Sequence, residues 1–85
     1  MAIVRLRGQL ERLAGASEVP VAGETVSELL QALEQQHSAL DGWILDERGM
    51  LRRHINVFVN GEPAAPESPV AQQDRIEILP AISGG

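Results

Sequence analysis

From Ile3 to Arg7 the chain alternates, with Val4 and Leu6 apolar between polar or flanking Ile3, Arg5 and Arg7, which is the period of a half-buried strand whose Val4 and Leu6 face the core. The stretch from Gly8 to Gly15 holds Leu10 and Leu13 without a sustained period, and Ser17 to Val21 reads as a short second strand, so the two strands suggest a loose hairpin. Pro20 has no N–H for a ladder and places that second strand at an edge or near its end. The period then changes. Thr25 and Glu28 form a T-x-x-E capping box, and Val26, Leu29, Leu30 and Leu33 recur at i, i+3, i+4 and i+7, which predicts a helix over about 26–36 with one apolar stripe against a sheet.

Between Ser38 and Gly49, the apolar Leu40, Trp43, Ile44 and Leu45 lie among Asp and Gly, as in a short helical turn followed by a loop, with the sole Trp expected to plug the end of the core. His54 to Asn60 alternates again: Ile55, Val57 and Val59 share one face and His54, Asn56 and Phe58 the other. Asn60-Gly61 is a tight-turn dipeptide that closes the strand. A Pro- and Ala-rich loop covers Glu62 to Pro69, and Arg75 to Leu79 makes a last strand with Ile76 and Ile78 inward, stopped by Pro80. Hairpin, helix and further strands describe an α+β domain with one main helix across one face of a mixed sheet.

The 85 residues allow one domain, taken as residues 1–80, with 81–85 expected as a flexible Gly-Gly tail that no capping or pairing signal ties down. A chain of this size buries about 60 to 65% of its unfolded surface, enough for a core but leaving little interior for a deep substrate pocket, so a self-contained enzyme is disfavoured. Cysteine is absent, which excludes disulfides, thiolate metal sites and thiol nucleophiles. Twelve acidic residues against seven basic ones give a net charge of -5, unsuited to the phosphate backbone of nucleic acid. All seven basic residues are Arg, so a lysine phosphate clamp or Schiff base is impossible. The N-terminal segment has charges spaced through its apolar residues, neither a signal peptide nor a membrane span, and the expected location is the cytoplasm without membrane contact.

Catalytic patterns are missing. His37 and His54 have no acidic partner at metal-ligand spacing, no Ser lies in a nucleophile motif, and the glycines form no nucleotide-binding loop. Asp41, Asp46 and Glu47 read as a solvated loop. Two features remain. If the aliphatic face of the His54–Asn60 strand meets the helix, Phe58 is left on the open side of the sheet beside Leu79, a docking patch for another protein. The chain also ends in Gly84-Gly85, a pair that chance places at two given positions about once in two hundred sequences. Without a Cβ, such a pair can thread a narrow channel and present the α-carboxylate to another enzyme, so that the reactive group is the C-terminus itself.

The run L-R-R-H-I-N-V-F-V-N-G-E from Leu51 to Glu62, followed by I-E-I-L-P-A-I-S-G-G from Ile76 to Gly85, closely resembles the ubiquitin-like sulfur carriers of the MoaD and ThiS type. The resemblance spans the chain in order and length and is specific from Leu51 onward; it departs at Gln72-Gln73-Asp74, where the family often has D-G-D. It implies a β-grasp fold and a carrier that is not itself an enzyme and binds no cofactor. An E1-like enzyme would use ATP to adenylate the Gly85 carboxylate, and a sulfur donor would displace AMP to leave a thiocarboxylate. Gly84 would supply tail flexibility, and Phe58, Leu79, Pro80 and Ile82 the partner-binding surface. The expected acceptor is the large subunit of molybdopterin synthase, with a cysteine-synthase homologue, thiamin or thiolated-tRNA synthesis, or ubiquitin-like protein modification as alternatives.

Overall fold

The computed structural model describes residues 1–80. Strand β1 (Ala2–Leu6) is followed by helix α1 (Gly8–Ala14), strand β2 (Glu18–Val21), helix α2 (Val26–Gln36) and a single 3-10 turn (Ser38–Leu40). Strands β3 (Ile55–Val59), β4 (Glu62–Pro63) and β5 (Arg75–Pro80) complete the order. The strands form one sheet in the order β2-β1-β5-β3-β4. β1 pairs in parallel with β5, and the remaining pairs are antiparallel. A mixed five-stranded sheet with its first and last strands side by side and one long helix across it is the β-grasp arrangement that the resemblance implies.

The core is the aliphatic layer between that sheet and α2. Alternation puts Val4 and Leu6 of β1, Val19 and Val21 of β2, Ile55 and Val57 of β3, and Ile76 and Ile78 of β5 on one face, all buried. Facing them is the α2 stripe of Val26, Leu29, Leu30 and Leu33, also buried. Burying each such side chain contributes roughly 1.5 to 3 kcal/mol. Val59, expected on the same face, is only half-buried, since it lies at the rim next to the β3–β4 turn.

The first turn of α2 is fully capped. Thr25 Oγ1 accepts from the Glu28 N–H at 3.2 Å, while Glu28 Oε1 accepts from the Glu24 N–H at 3.1 Å, one residue upstream of the usual reciprocal partner. The Val26 and Ser27 N–H groups donate to Ser68 and Pro66 carbonyls, tying the loop after β4 to the helix start.

Three expectations are corrected. The segment after Gly8 is a helix, so β1 and β2 pair as foreseen but through α1. Leu10 enters the core with Leu13 and Ala14 packed behind it, and Gly15 ends the helix in the left-handed region at φ 75°. The loop after Gly61 begins with the two-residue strand β4. Trp43 does not plug the core: it is 40% exposed, because Leu40, Ile44 and Leu45 already fill that end. Gly42, at φ 83°, turns the chain between them. Among the described residues no helix is long and apolar enough to cross a membrane.

Candidate functional site

Among the described residues the sheet face away from α2 carries no helix, and the strand registers decide what stands on it. β5 sends Ile76 and Ile78 inward and Arg75, Glu77 and Leu79 outward. On β3, Phe58 pairs with Glu77 and Asn56 with Leu79, so Phe58 and Leu79 share the open face as expected. Both are half-buried rather than exposed, and neither joins the core cluster. Phe58 also pairs with Pro63 of β4, so neighbours on both sides shield part of its ring.

Toward β1 and β2 the face turns polar. Arg5 pairs with Glu18 at 3.0 Å and Arg7 with Glu77 at 3.4 Å, both in solvent, where such pairs contribute little stability. Ile3, Arg5, Glu18, Asn60, Gly61, Arg75 and Glu77 line a shallow polar depression there, open to water. Open to water, it lacks the desolvation that acid–base chemistry needs.

β5 runs up the middle of the sheet and ends at Pro80, opposite Ile55. Gly8, at φ 60°, brings its Cα against this end: a Cβ built there lies 3.4 Å from the Pro80 Cγ. The chain therefore leaves the fold from a fixed point between β1 and β3. Ile82, Gly84 and Gly85, the remaining expected site residues, lie outside the described residues.

The β3–β4 turn is locked to the start of β5. Asn60 at φ 52° and Gly61 at φ 86° make the left-handed pair that a two-residue hairpin favours. Asn60 Nδ2 donates to Asp74 Oδ1 at 3.0 Å, and its Oδ1 accepts from the Arg75 N–H at 2.9 Å. Asp74 Oδ2 accepts from the Ala71 N–H at 2.8 Å. That backbone hydrogen bond, and then the Asn60 amide, hold the Asp74 carboxyl below the ordinary 3.8. The Asp46 carboxyl is lowered too, first by the Met50 N–H and then by Arg48, in the loop read from sequence as solvated. Both shifts come from turn-closing hydrogen bonds and mark no reacting group.

The histidines stay apart from any such cluster: His37 caps the end of α2 and His54 is exposed ahead of β3. Among the described residues no group of His, Asp and Glu could hold a metal ion. The sequence reading passed over Glu34, whose Oε2 accepts from the Ile44 and Leu45 N–H groups at 3.1 and 2.9 Å and clamps the following loop onto α2. Sequence carries no signal for this contact beyond a carboxylate in the last turns of α2.

Among the described residues the open sheet face carries one apolar spot, and the central strand β5 ends at Pro80. The ThiS family model matches residues 4–85. The chain belongs to the ThiS family. It is 37% identical over 84 residues to small archaeal modifier protein 1 of Haloferax volcanii, covering 95% of this chain and 97% of the relative. It is also 30% identical over 77 residues to sulfur carrier protein CysO of Mycobacterium tuberculosis, covering 84% and 83%. Among solved structures, small archaeal modifier protein 1 from Methanosarcina acetivorans superposes with a TM-score of 0.89 at 33% identity, covering 99% of this chain and 95% of that one. The Amycolatopsis orientalis BexX/CysO complex matches over the whole of both chains, with a TM-score of 0.86 at 31% identity. This ThiS-family chain is thus a β-grasp protein of the ubiquitin-like sulfur carriers and modifiers, and its relatives are small carrier and modifier proteins.

Proposed function

We propose that this chain is a sulfur carrier working through its C-terminal glycine. The Gly85 carboxylate attacks the α-phosphorus of ATP in an E1-like enzyme, pyrophosphate leaves, and the acyl-adenylate forms. Sulfur from a donor then attacks the acyl carbon, the C–O bond to AMP breaks, and a thiocarboxylate remains. Activation is needed because a carboxylate is a poor electrophile until it becomes a mixed anhydride. Gly84 lets the end thread the enzyme's channel, and Phe58, Leu79, Pro80 and Ile82 form the surface that partners grip. The ATP is consumed by the partner, and this chain holds no cofactor of its own.

The observation that carries the reading is the 30% identity to a protein named a sulfur carrier over 84% of this chain. That relative supports an acceptor of the cysteine-synthase kind. The molybdopterin-synthase acceptor expected from sequence has weaker support, since the neighbour described as a molybdopterin converting factor subunit is 20% identical and speaks for the fold alone. The 37% identity to a modifier protein favours a second use, in which a target lysine amine displaces AMP and forms an isopeptide bond.

The test is incubation with the E1-like enzyme from the same organism, ATP and a sulfur donor, read by intact-protein mass spectrometry. One oxygen replaced by sulfur is expected, and deletion of Gly85 abolishes it. An unchanged mass with an enzyme that activates its other carriers overturns the reading. Digestion of proteins conjugated in the cell, with a Gly-Gly remnant sought on their lysines, tests the second use.

A further inference from the structure

Charge is divided along the strand direction. β5 ends at Pro80 between its two neighbours. On the β1 side the chain runs out into Arg7, one residue beyond the Leu6–Ile78 pair. On the β3 side Arg52, Arg53 and His54 immediately precede Ile55, the partner of Pro80. Arg7, Arg53 and His54 are exposed. The open-face acids nearest this end, Glu77 and Glu18, already hold Arg7 and Arg5, and the charge of Glu11 on α1 is offset by that of its neighbour Arg12. The other end of the sheet is the reverse: Glu62 sits opposite Val59 and Asp74 precedes β5, with Arg75 the cation between them. In a chain of net charge -5, cations are thus gathered on both flanks of the point where residues 81–85 begin.

We propose that Arg7, Arg52 and Arg53, with His54 beside them as a hydrogen-bonding side chain, form a cationic collar that docks on a carboxylate-lined rim at the mouth of the adenylating enzyme's cleft, a proposal that rests on the function read above. Protein carboxylates fit better than nucleotide phosphates. Five residues span at most about 17 Å when extended, so a collar at Pro80 faces the entrance that the chain end passes through, whereas the nucleotide waits at the far end. Arg suits this role because its planar fork pairs two-pronged with carboxylates. A charged rim of this kind acts on encounter more than on chemistry, raising association rate and making it salt-dependent.

Two measurements test the collar, one without any enzyme. NMR titration with hexaglutamate at low salt is expected to shift the amides of Arg7 and Arg52 to His54, to leave Glu24 and Glu62 unmoved, and to lose the effect in Arg53→Glu/His54→Glu. Shifts spread over the surface, or none, overturn it. In the adenylation assay the same variant is expected to raise KM for the carrier at least tenfold at low salt with kcat within twofold, the gap closing in high salt. Arg75→Glu, a charge reversal at the other end of β5, is the control and is expected to leave KM within twofold. Equal KM values for the two variants overturn the collar, while a wild type that is never adenylated counts against the function and leaves the titration to decide the collar.

Discussion

Phe58 stands directly across the β3–β5 ladder from Glu77, which sets Leu79 on the diagonal from Phe58 on the same open face. Diagonal neighbours in a sheet lie within reach of an aromatic ring, so the two form one apolar spot bordered by the charged Arg7–Glu77 pair. An apolar centre with a polar border is the usual anatomy of a protein contact.

Phe58→Ala is therefore expected to weaken binding to the activating enzyme by about 2 kcal/mol or more. The fold should lose only about 1 kcal/mol, the worth of the cross-strand pairs with Glu77 and Pro63. Urea unfolding and an affinity measurement on one preparation separate the two effects. A stability loss of about 3 to 5 kcal/mol would instead place Phe58 in the core.

The elements readable in the sequence were those with a full period. α2 has four apolar residues in one stripe with a cap in front, and β3 and β5 alternate without interruption. α1 escaped because seven residues hold only two large apolar ones, and Arg7 at its N-cap supplies no side-chain capping hydrogen bond. Its legible trace was Leu10, Leu13 and Ala14 at i, i+3 and i+4 ahead of Gly15. β4 is two residues, one of them Pro63, and has no pattern to read. Trp43 was misplaced because size argues for burial, whereas position was decided by three aliphatic neighbours that fill the site first. Of the candidate site, the shared face of Phe58 and Leu79 followed from parity alone. The flanking of Pro80 by Arg7 and Arg53 did not, since it depends on β1 and β3 lying on either side of β5.

Gly23 is a second position invisible to pattern. A Cβ there would lie 2.7 Å from both the Cα and N of Leu29, so the loop before α2 packs directly on the helix backbone. Gly23→Ala forces backbone apart and is expected to cost about 1 to 3 kcal/mol. Chemical denaturation of this variant beside Ala22→Gly, its exposed neighbour, checks it. A loss under half a kcal/mol, the scale of ordinary surface changes, would show that the loop can yield.

Glu34 links α2 to the loop that follows it through two backbone donors, those of the buried Ile44 and Leu45. Glu34→Ala leaves both N–H groups without their acceptor and is expected to cost about 2 to 3 kcal/mol. Glu34→Gln keeps one acceptor oxygen in place and should recover more than half of that. Equal losses for the two variants would mean that packing of the side chain, and not its hydrogen bonds, holds the loop.

Asp74 makes part of the stability dependent on pH. Its carboxyl is held below the ordinary 3.8 by the Ala71 N–H and then the Asn60 amide, so the folded chain stays ionised where the unfolded chain takes up a proton. A depressed acid stabilises fully above the unfolded value, and the contribution disappears as pH falls from 3.8 through the lower folded value. Asp74→Asn should thus be less stable than wild type at pH 7, with the gap narrowing as the solution is acidified below that point. Asp46, lowered by the Met50 N–H and Arg48, adds a loss in the same direction, so the double variant should show the flatter acid limb. Urea midpoints measured from pH 7 to pH 2 decide it, because a gap that stays constant with pH would mean that the Asn60 and Ala71 hydrogen bonds stabilise the neutral side chain as well as the ionised one.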